Sequence, residues 1–242
     1  MIIIELKSTD STNNFAKNYL QNNEFNENIL IFSYSQTAGR GNASNKWHCE
    51  DNKNIIFSLI CKPKIKAEDF YLLNICTAIS VCKYLKIREI NAKIKWPNDI
   101  YCNDKKICGI LIENSLSQTE IENSIIGIGL NLNETNFPEN IPNPISLKNI
   151  TNIDYNIKTE ILKLTEILEN DLKNLNFLIP YNELKSKFVS LLYRYQEFYN
   201  YKTKEEIFSG KIIDVEKMGN LVIETETKEI RKFAFKEVEF LW

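Results

Sequence analysis

Ser124-Ile125-Ile126-Gly127-Ile128-Gly129-Leu130-Asn131-Leu132-Asn133 is the stretch on which the fold turns. Ile126, Ile128, Leu130 and Leu132 alternate with Gly127, Gly129, Asn131 and Asn133, and a period of two is that of a β-strand. One face packs; the other is bare and polar. Glycine inside a strand gives up packing, so it marks a bulge or the close approach of a ligand or another backbone. Tight packing against a helix is the competing reading.

Working outward, residues 100–102 and 107–112 flank an Asn103-Asp104 turn and read as a hairpin. Residues 93–96 form a strand closed by Pro97, and 54–61, 29–34 and Ile2–Leu6 read as further strands. Asp10-Ser11-Thr12-Asn13 offers N-cap residues ahead of Phe15, Ala16, Tyr19 and Leu20. Over 67–85, Leu72, Ile75, Ile79, Cys82 and Leu85 recur at the spacing of a buried helix face. Residues 154–175 and 181–195 are amphipathic helices with a structural role. Residues 137–144 hold three of the six prolines and read as a loop. After Gln196, short strands at 211–215, 221–225 and 230–235 have the pattern of a small β-barrel. The expected domains are 1–195 and 196–242.

Composition sets limits. The chain has 242 residues, 43% apolar and 26% charged, enough for a core and unlike a disordered chain. A net charge of −2 and a pI near 5.7 give no global field for nucleic acid or an anionic membrane. Residues 1–4 are too short for a signal peptide, and no apolar stretch approaches the roughly 18 residues of a spanning helix. A soluble, cytoplasmic protein is expected. The six cysteines contain no CxxC pair, and most lie in apolar segments where a thiol acts as a small hydrophobe. With His48 the only histidine, a zinc site is not expected, and adjacent His48 and Cys49 would point apart on an extended segment. Seven glycines, below half the average usage of about 7%, and four arginines make those residues informative.

Three segments concentrate them. Gly39-Arg40-Gly41 lies in a loop, residues 36–46, without a large apolar residue. Its glycines let backbone N–H groups approach an anion, and Arg40 can fork onto a carboxylate or phosphate; a turn with a solvated arginine is the alternative. Lys95-Trp96-Pro97-Asn98-Asp99 precedes Lys106 and Gly109 across the hairpin, which places Asp99 and Lys106 at one site unless the lysines are merely solvated. The third is the Gly127, Gly129, Asn131 face. No GxxxxGK[ST] is present.

In order, D-S-T-N at 10–13, Q-T-A-G-R-G at 36–41, K-W at 46–47, K-W-P-N-D at 95–99, K-x-x-G at 106–109 and G-x-G-x-N at 127–131 resemble the successive motifs of the biotin-protein ligase catalytic domain. The likeness spans residues 1 to about 235, and six motifs in order make it specific. It implies an α+β fold: a mixed, largely antiparallel sheet flanked by helices, like that of class II aminoacyl-tRNA synthetases and biotin ligases, with an SH3-like C-terminal barrel. It also implies ATP-dependent, AMP-forming activation of biotin to biotinyl-5'-AMP, with Mg²⁺, and transfer to a lysine of a biotin carboxyl carrier domain.

By the same resemblance Lys106, Arg40 and Asp99 are catalytic, Lys106 bridging the biotin carboxylate and the phosphate, Asp99 orienting the acceptor lysine or taking its proton. Ser11, Thr12, Asn13, Gln36, Gly39, Arg40, Gly41, Asn42, Lys106 and Gly109 would bind biotin. Arg40, Trp47, Lys95, Asn98, Lys106 and Asn131 would bind ATP or the adenylate, Trp47 also serving as apolar wall. No metal ligand is assigned. The chain departs from the family at Asn42-Ala43-Ser44-Asn45, where a basic residue and a glycine are usual, which puts retention of the adenylate on Arg40 and Lys106. Many members carry an N-terminal winged helix; here the catalytic strand starts at Ile2, so no DNA binding is expected, while a homodimer is among the family's habits. The rivals are a lipoate-protein ligase or octanoyltransferase, whose arginine- and glycine-rich loop and downstream His-Asp are missing here, and a non-catalytic biotin-binding module.

Overall fold

The computed structural model describes residues 1–42, 45–175 and 180–241; Ala43 and Ser44, within the departure from the family loop, lie outside the described residues. Residues 124–130 form the end of β7 (Glu120–Leu130), which with β1 (Ile2–Leu6), β2 (Ile29–Ser33), β3 (Ile55–Cys61), β4 (Lys93–Lys95), β5 (Asp99–Cys102) and β6 (Lys105–Ser117) makes a seven-stranded sheet ordered β1-β2-β3-β7-β6-β5-β4. β1 and β2 are parallel, and every other neighbouring pair is antiparallel.

Alternation along the central strands assigns the two faces. Phe57, Leu59, Ile126, Ile128 and Ile110 join one large core with α2 (Tyr71–Lys86), α4 (Ile157–Asn174) and α5 (Tyr181–Ser190). The opposite face is covered only in part. There α1 (Thr12–Asn22) packs Ala16 on Ile29, Ile31, Ile60 and Ile125, and the rest of that face is left to the site.

A second sheet, antiparallel throughout, follows: β8 (Phe198–Lys202), β9 (Ile207–Val215), β10 (Leu221–Thr225), β11 (Ile230–Phe233) and β12 (Glu239–Phe240), in the order β11-β10-β9-β8-β12. It is seated on the first. Trp96 Nε1 donates to Gly219 O at 2.8 Å, and Trp96 meets the Phe235 ring edge-on at 6.2 Å. Gly219 has φ +91°, and a Cβ there would come within 2.6 Å of the Tyr71 ring of α2, so this turn needs glycine on both counts.

Several element limits differ from the sequence reading. The predicted helix over 67–85 opens with a separate 3₁₀ turn at Ala67–Asp69. α5 stops at Ser190 because the following residues join the sheet edge: Ile94 N donates to Leu191 O and Tyr193 N to Ile94 O, both at 2.8 Å. β7 ends at Leu130, and Asn131 N donates instead to Ile107 O at 2.9 Å. A short helix, α3 (Leu147–Thr151), has a Ser146 capping box that the sequence reading passed over.

All six cysteines are free, five of them buried and Cys49 partly so. Burial pushes the thiols of Cys61, Cys76, Cys82 and Cys102 up to about 12, raises Cys108 well above its ordinary value, and raises Cys49. A thiolate reagent at about pH 8 is therefore expected to titrate at most Cys49, slowly, in the native chain, and all six thiols after denaturation. Rapid native reaction of more than one thiol would contradict this packing.

Candidate active site

Cross-strand register turns the bare face into rows. Gly109, Gly129 and Ile56 lie side by side on β6, β7 and β3; Leu111, Gly127 and Ser58 form the next row; Glu113, Ile125 and Ile60 the third. The glycines answer the question the sequence left open. A Cβ at Gly127 would collide with the Asn13 amide of α1, one at Gly129 with the Trp47 indole, and one at Gly109 would stand 3.0 Å from Trp47 Cζ3. Side chains from a helix N-terminus and a loop rest directly on strand backbone there.

The first and second motifs are stitched together. Thr12 N and Oγ1 donate to Gln36 Oε1 at 2.8 and 3.2 Å, while Thr37 N donates to Thr9 O at 3.0 Å and Ala38 N to Asp10 O at 2.9 Å. Ser11 occupies the N-cap of α1 without a side-chain capping bond. Asn13 is committed within the protein: its Oδ1 accepts from Ser58 Oγ at 2.6 Å and its Nδ2 donates to Glu113 Oε2 at 2.8 Å.

The glycine loop folds back on itself, Trp47 N donating to Gly39 O at 2.9 Å and Gly41 N to Asn45 O at 2.7 Å. Arg40 reaches across the sheet, its Nη2 donating to Glu113 Oε1 at 3.0 Å and its Nη1 to Glu113 Oε2 at 3.3 Å and Asn14 Oδ1 at 2.8 Å. Trp47 Nε1 is buried without a hydrogen-bond partner among the described residues.

Opposite, Lys106 Nζ pairs with Asp99 Oδ1 at 2.7 Å and lies 5.6 Å from the Trp47 ring centroid. Both are half-buried. Asn98 clamps its motif to β6, its Nδ2 donating to Ile110 O at 2.6 Å while Ile110 N donates to Asn98 O at 3.0 Å. Asn131 Nδ2 donates to Ile145 O at 3.0 Å and Lys106 O at 3.4 Å, steadying the strand start that carries Lys106. Lys95 is held below the ordinary lysine range, first by burial and then by the positive charges of Lys106 and Arg194, with Asp99 opposing. Its Nζ lies 5.3 Å from the Tyr101 ring and 5.1 Å from that of Phe240.

A cavity of about 560 Å³ gathers Ser11, Thr12, Asn13, Gln36, Arg40, Gly41, Asn42, Trp47, Lys95, Asn98, Asp99, Lys106 and Gly109. Gly39 and Asn131 line an adjoining recess that shares Arg40, Trp47 and Lys106 with it. The sequence reading missed Glu113, Asn14 and a wall from the second sheet: Phe235, Lys236, Val238, Glu239 and Phe240. Glu113 continues the period-two series from Gly109, a signal cut off by ending that strand at 112. His48 and Cys49 do diverge: His48 Nε2 meets Glu134 Oε1 at 3.0 Å, whereas Cys49 Sγ faces Gln36 O. Among the described residues, no group of three or more His, Cys, Asp or Glu is placed to hold a metal ion.

A model of the biotin/lipoate A/B protein ligase family matches residues 5–131, which take in all six motifs. The chain belongs to that family. It is 37% identical over 125 residues to the bifunctional ligase/repressor BirA of Bacillus subtilis, a match covering 50% of this chain and 38% of that protein. It is 30% identical over 130 residues to the biotin–[acetyl-CoA-carboxylase] ligase of Paracoccus denitrificans, covering 52% of this chain and 53% of the relative. The chain thus matches about half or less of these relatives' lengths. A solved structure of biotin protein ligase from Aquifex aeolicus in complex with biotin and ATP is similar along the whole chain, with a TM-score of 0.79 and 28% identity over 98% of this chain and 97% of that one.

Overpacking the floor tests the geometry. Gly129→Ala is expected to cost about 1–3 kcal/mol of stability in urea unfolding. With Trp47→Ala added, the loss should fall below the sum of the two single changes, because the clash partner is gone. Strict additivity would mean that Trp47 does not lie on β7.

Proposed function

We propose that this chain is an ATP-dependent biotin-protein ligase, which activates biotin to biotinyl-5'-AMP with release of pyrophosphate and then biotinylates a lysine of a biotin carboxyl carrier domain. The observation that carries the reading is the position of Lys106: its ammonium lies against Asp99 and near Trp47, in the cavity that also holds the neutral Ser11, Thr12 and Gln36. The neutral groups suit a ureido ring, which needs both donors and acceptors. The cationic side suits a carboxylate meeting a phosphate.

In the first half-reaction a biotin carboxylate oxygen attacks the α-phosphorus, and the bond to the pyrophosphate oxygen breaks. Two anions must come together, and Lys106 and Arg40 offset their repulsion where charge builds. In the second, the neutral amine of the acceptor lysine attacks the acyl carbon, AMP leaves, and Asp99 takes the amine proton. The Lys106–Asp99 pair orders these steps. While Lys106 holds Asp99 at 2.7 Å, the carboxylate is engaged; once the ammonium turns to the adenylate, Asp99 is released to serve as base.

Asp99, Glu239 and, in the adjoining recess, Glu113 are the carboxylates that could give magnesium its oxygen donors, and Asp99 and Glu113, the two nearest the assigned cations, are each already paired. That fits an ion carried in on the triphosphate, where it would neutralise phosphate charge. No helix among the described residues is long and apolar enough to cross a membrane, and we place the protein in the cytoplasm. The balanced composition, 30 basic against 32 acidic side chains, supports leaving nucleic acid out of its partners.

Biotin-dependent exchange of pyrophosphate into ATP is expected for the purified chain, as is transfer of labelled biotin to a carrier domain. Lys106→Ala should lower exchange by about 10²-fold or more. Asp99→Asn should leave exchange within several-fold but slow transfer by about 10²-fold. Near-normal exchange in Lys106→Ala would remove Lys106 from the chemistry, and exchange with lipoate but not biotin would move the chain to the lipoate branch of its family.

A further inference from the structure

Glu113 lines the recess that adjoins the cavity and belongs to none of the six motifs, and neither half-reaction assigns it a step. It stands on β6 opposite Ile125, on the same face as Gly109 and Leu111. Its carboxylate oxygens divide their work. Oε1 accepts from Arg40 Nη2 at 3.0 Å; Oε2 accepts from Asn13 Nδ2 at 2.8 Å and from Arg40 Nη1 at 3.3 Å. The same Nη1 donates to Asn14 Oδ1 at 2.8 Å. Partly exposed ion pairs usually contribute little. This one is a fork on a carboxylate, whose geometry is directional, and each partner is also tied to α1 by an asparagine amide.

Arg40 needs such a partner. It projects from a loop with no apolar anchor before Trp47, and a long cationic side chain loses much rotamer freedom when it must meet an anion in one geometry. A support that imposes the geometry beforehand removes that loss from the binding step. Arg40 thus meets β6 and α1 through one carboxylate and two amides, and Gly39 and Gly41 are held with it.

We infer that Glu113 is a positioning residue: through the bidentate pair it sets the plane and reach of the Arg40 guanidinium and docks Gly39–Asn42 against β6 and α1, ready for an anionic substrate. The kinetic consequence rests on the ligase reading; the structural one does not. Glu113 acts by preorganising Arg40, so its loss weakens binding more than turnover at saturation.

Two measurements test this. In Glu113→Gln, backbone hydrogen exchange over residues 37–42 is expected to quicken about tenfold, and the Glu113→Gln/Arg40→Ala double variant should exchange no faster than Arg40→Ala alone. In ATP–pyrophosphate exchange, the KM for biotin should rise about tenfold while kcat falls less than about threefold, with Glu113→Asp in between. Unchanged loop exchange, or a KM that falls because the carboxylate had merely competed with substrate, would overturn the inference. If Glu113→Gln does not fold, Arg40→Lys, which keeps the charge but not the fork, should give the same loop acceleration; its absence overturns the inference equally. If the wild-type chain shows no biotin-dependent exchange, the ligase reading fails while the hydrogen-exchange comparison still decides the role of Glu113.

Discussion

Contact between two side chains and bare strand backbone is the constraint on which the rest of the site depends. Asn13 and Trp47 come to rest on Gly127 and Gly129 at distances that leave no room for a Cβ. The loop with Arg40 and the N-terminus of α1 can therefore descend onto the sheet, and groups on β6 come within their reach. A methyl at either glycine would lift one of those side chains, and with it the hydrogen bonds from Asn13 to Glu113 and the cation–ring contact of Lys106 with Trp47. The strand loses packing on that face and recovers stability on the other, where Ile126, Ile128 and Leu130 are buried in the main core.

Charge is arranged by the same economy of reach. The two cations assigned to anion stabilisation are each neutralised by a carboxylate on a strand, Arg40 by Glu113 of β6 and Lys106 by Asp99 of β5. A half-buried cation without a partner would suffer desolvation with nothing to offset it. The two pairs are not equivalent. The Arg40 pair is bidentate and braced by amides from α1, which suits a fixed support. The Lys106 pair rests on one contact from a flexible four-carbon stem, which suits a partner exchange during the reaction.

How much of this the sequence disclosed follows from where its signals are local. β7 was legible because its two faces differ in kind, isoleucine against glycine, over consecutive positions. The meeting of Asp99 and Lys106 followed from a hairpin of known turn. Glu113 was legible only as the next position on the Gly109 face; its role was not, since a single acid among 32 gains meaning only once Arg40 arrives from 73 residues earlier. β8 shows no alternation, with Tyr201 alone buried among its five residues. The helix over 181–195 was overextended because Leu191 and Leu192 stay apolar for another reason: they pack where the chain pairs with β4. Glu134, fully buried and accepting from His48, Asn54 and the Glu50 N–H, joins segments 80 or more residues apart and left no local trace.

The C-terminal sheet bears on the cavity in two ways, as part of its wall and through the K-W-P-N-D segment. Trp96 is buried beneath it and bonds to Gly219 O, and the neighbouring Lys95 lies between Tyr101 of β5 and Phe240 of β12. Burial, the leading cause of the depressed Lys95 pKa, is thus partly supplied by the appended sheet, whose Glu239 opposes it while Arg194, bonded to Leu241 O, adds to it. A lysine desolvated in this way holds its proton less firmly and presents a less hydrated charge to the cavity. The appended sheet therefore sets the electrostatics of one motif besides walling the cavity, and β12, only two residues long, is placed where it does both.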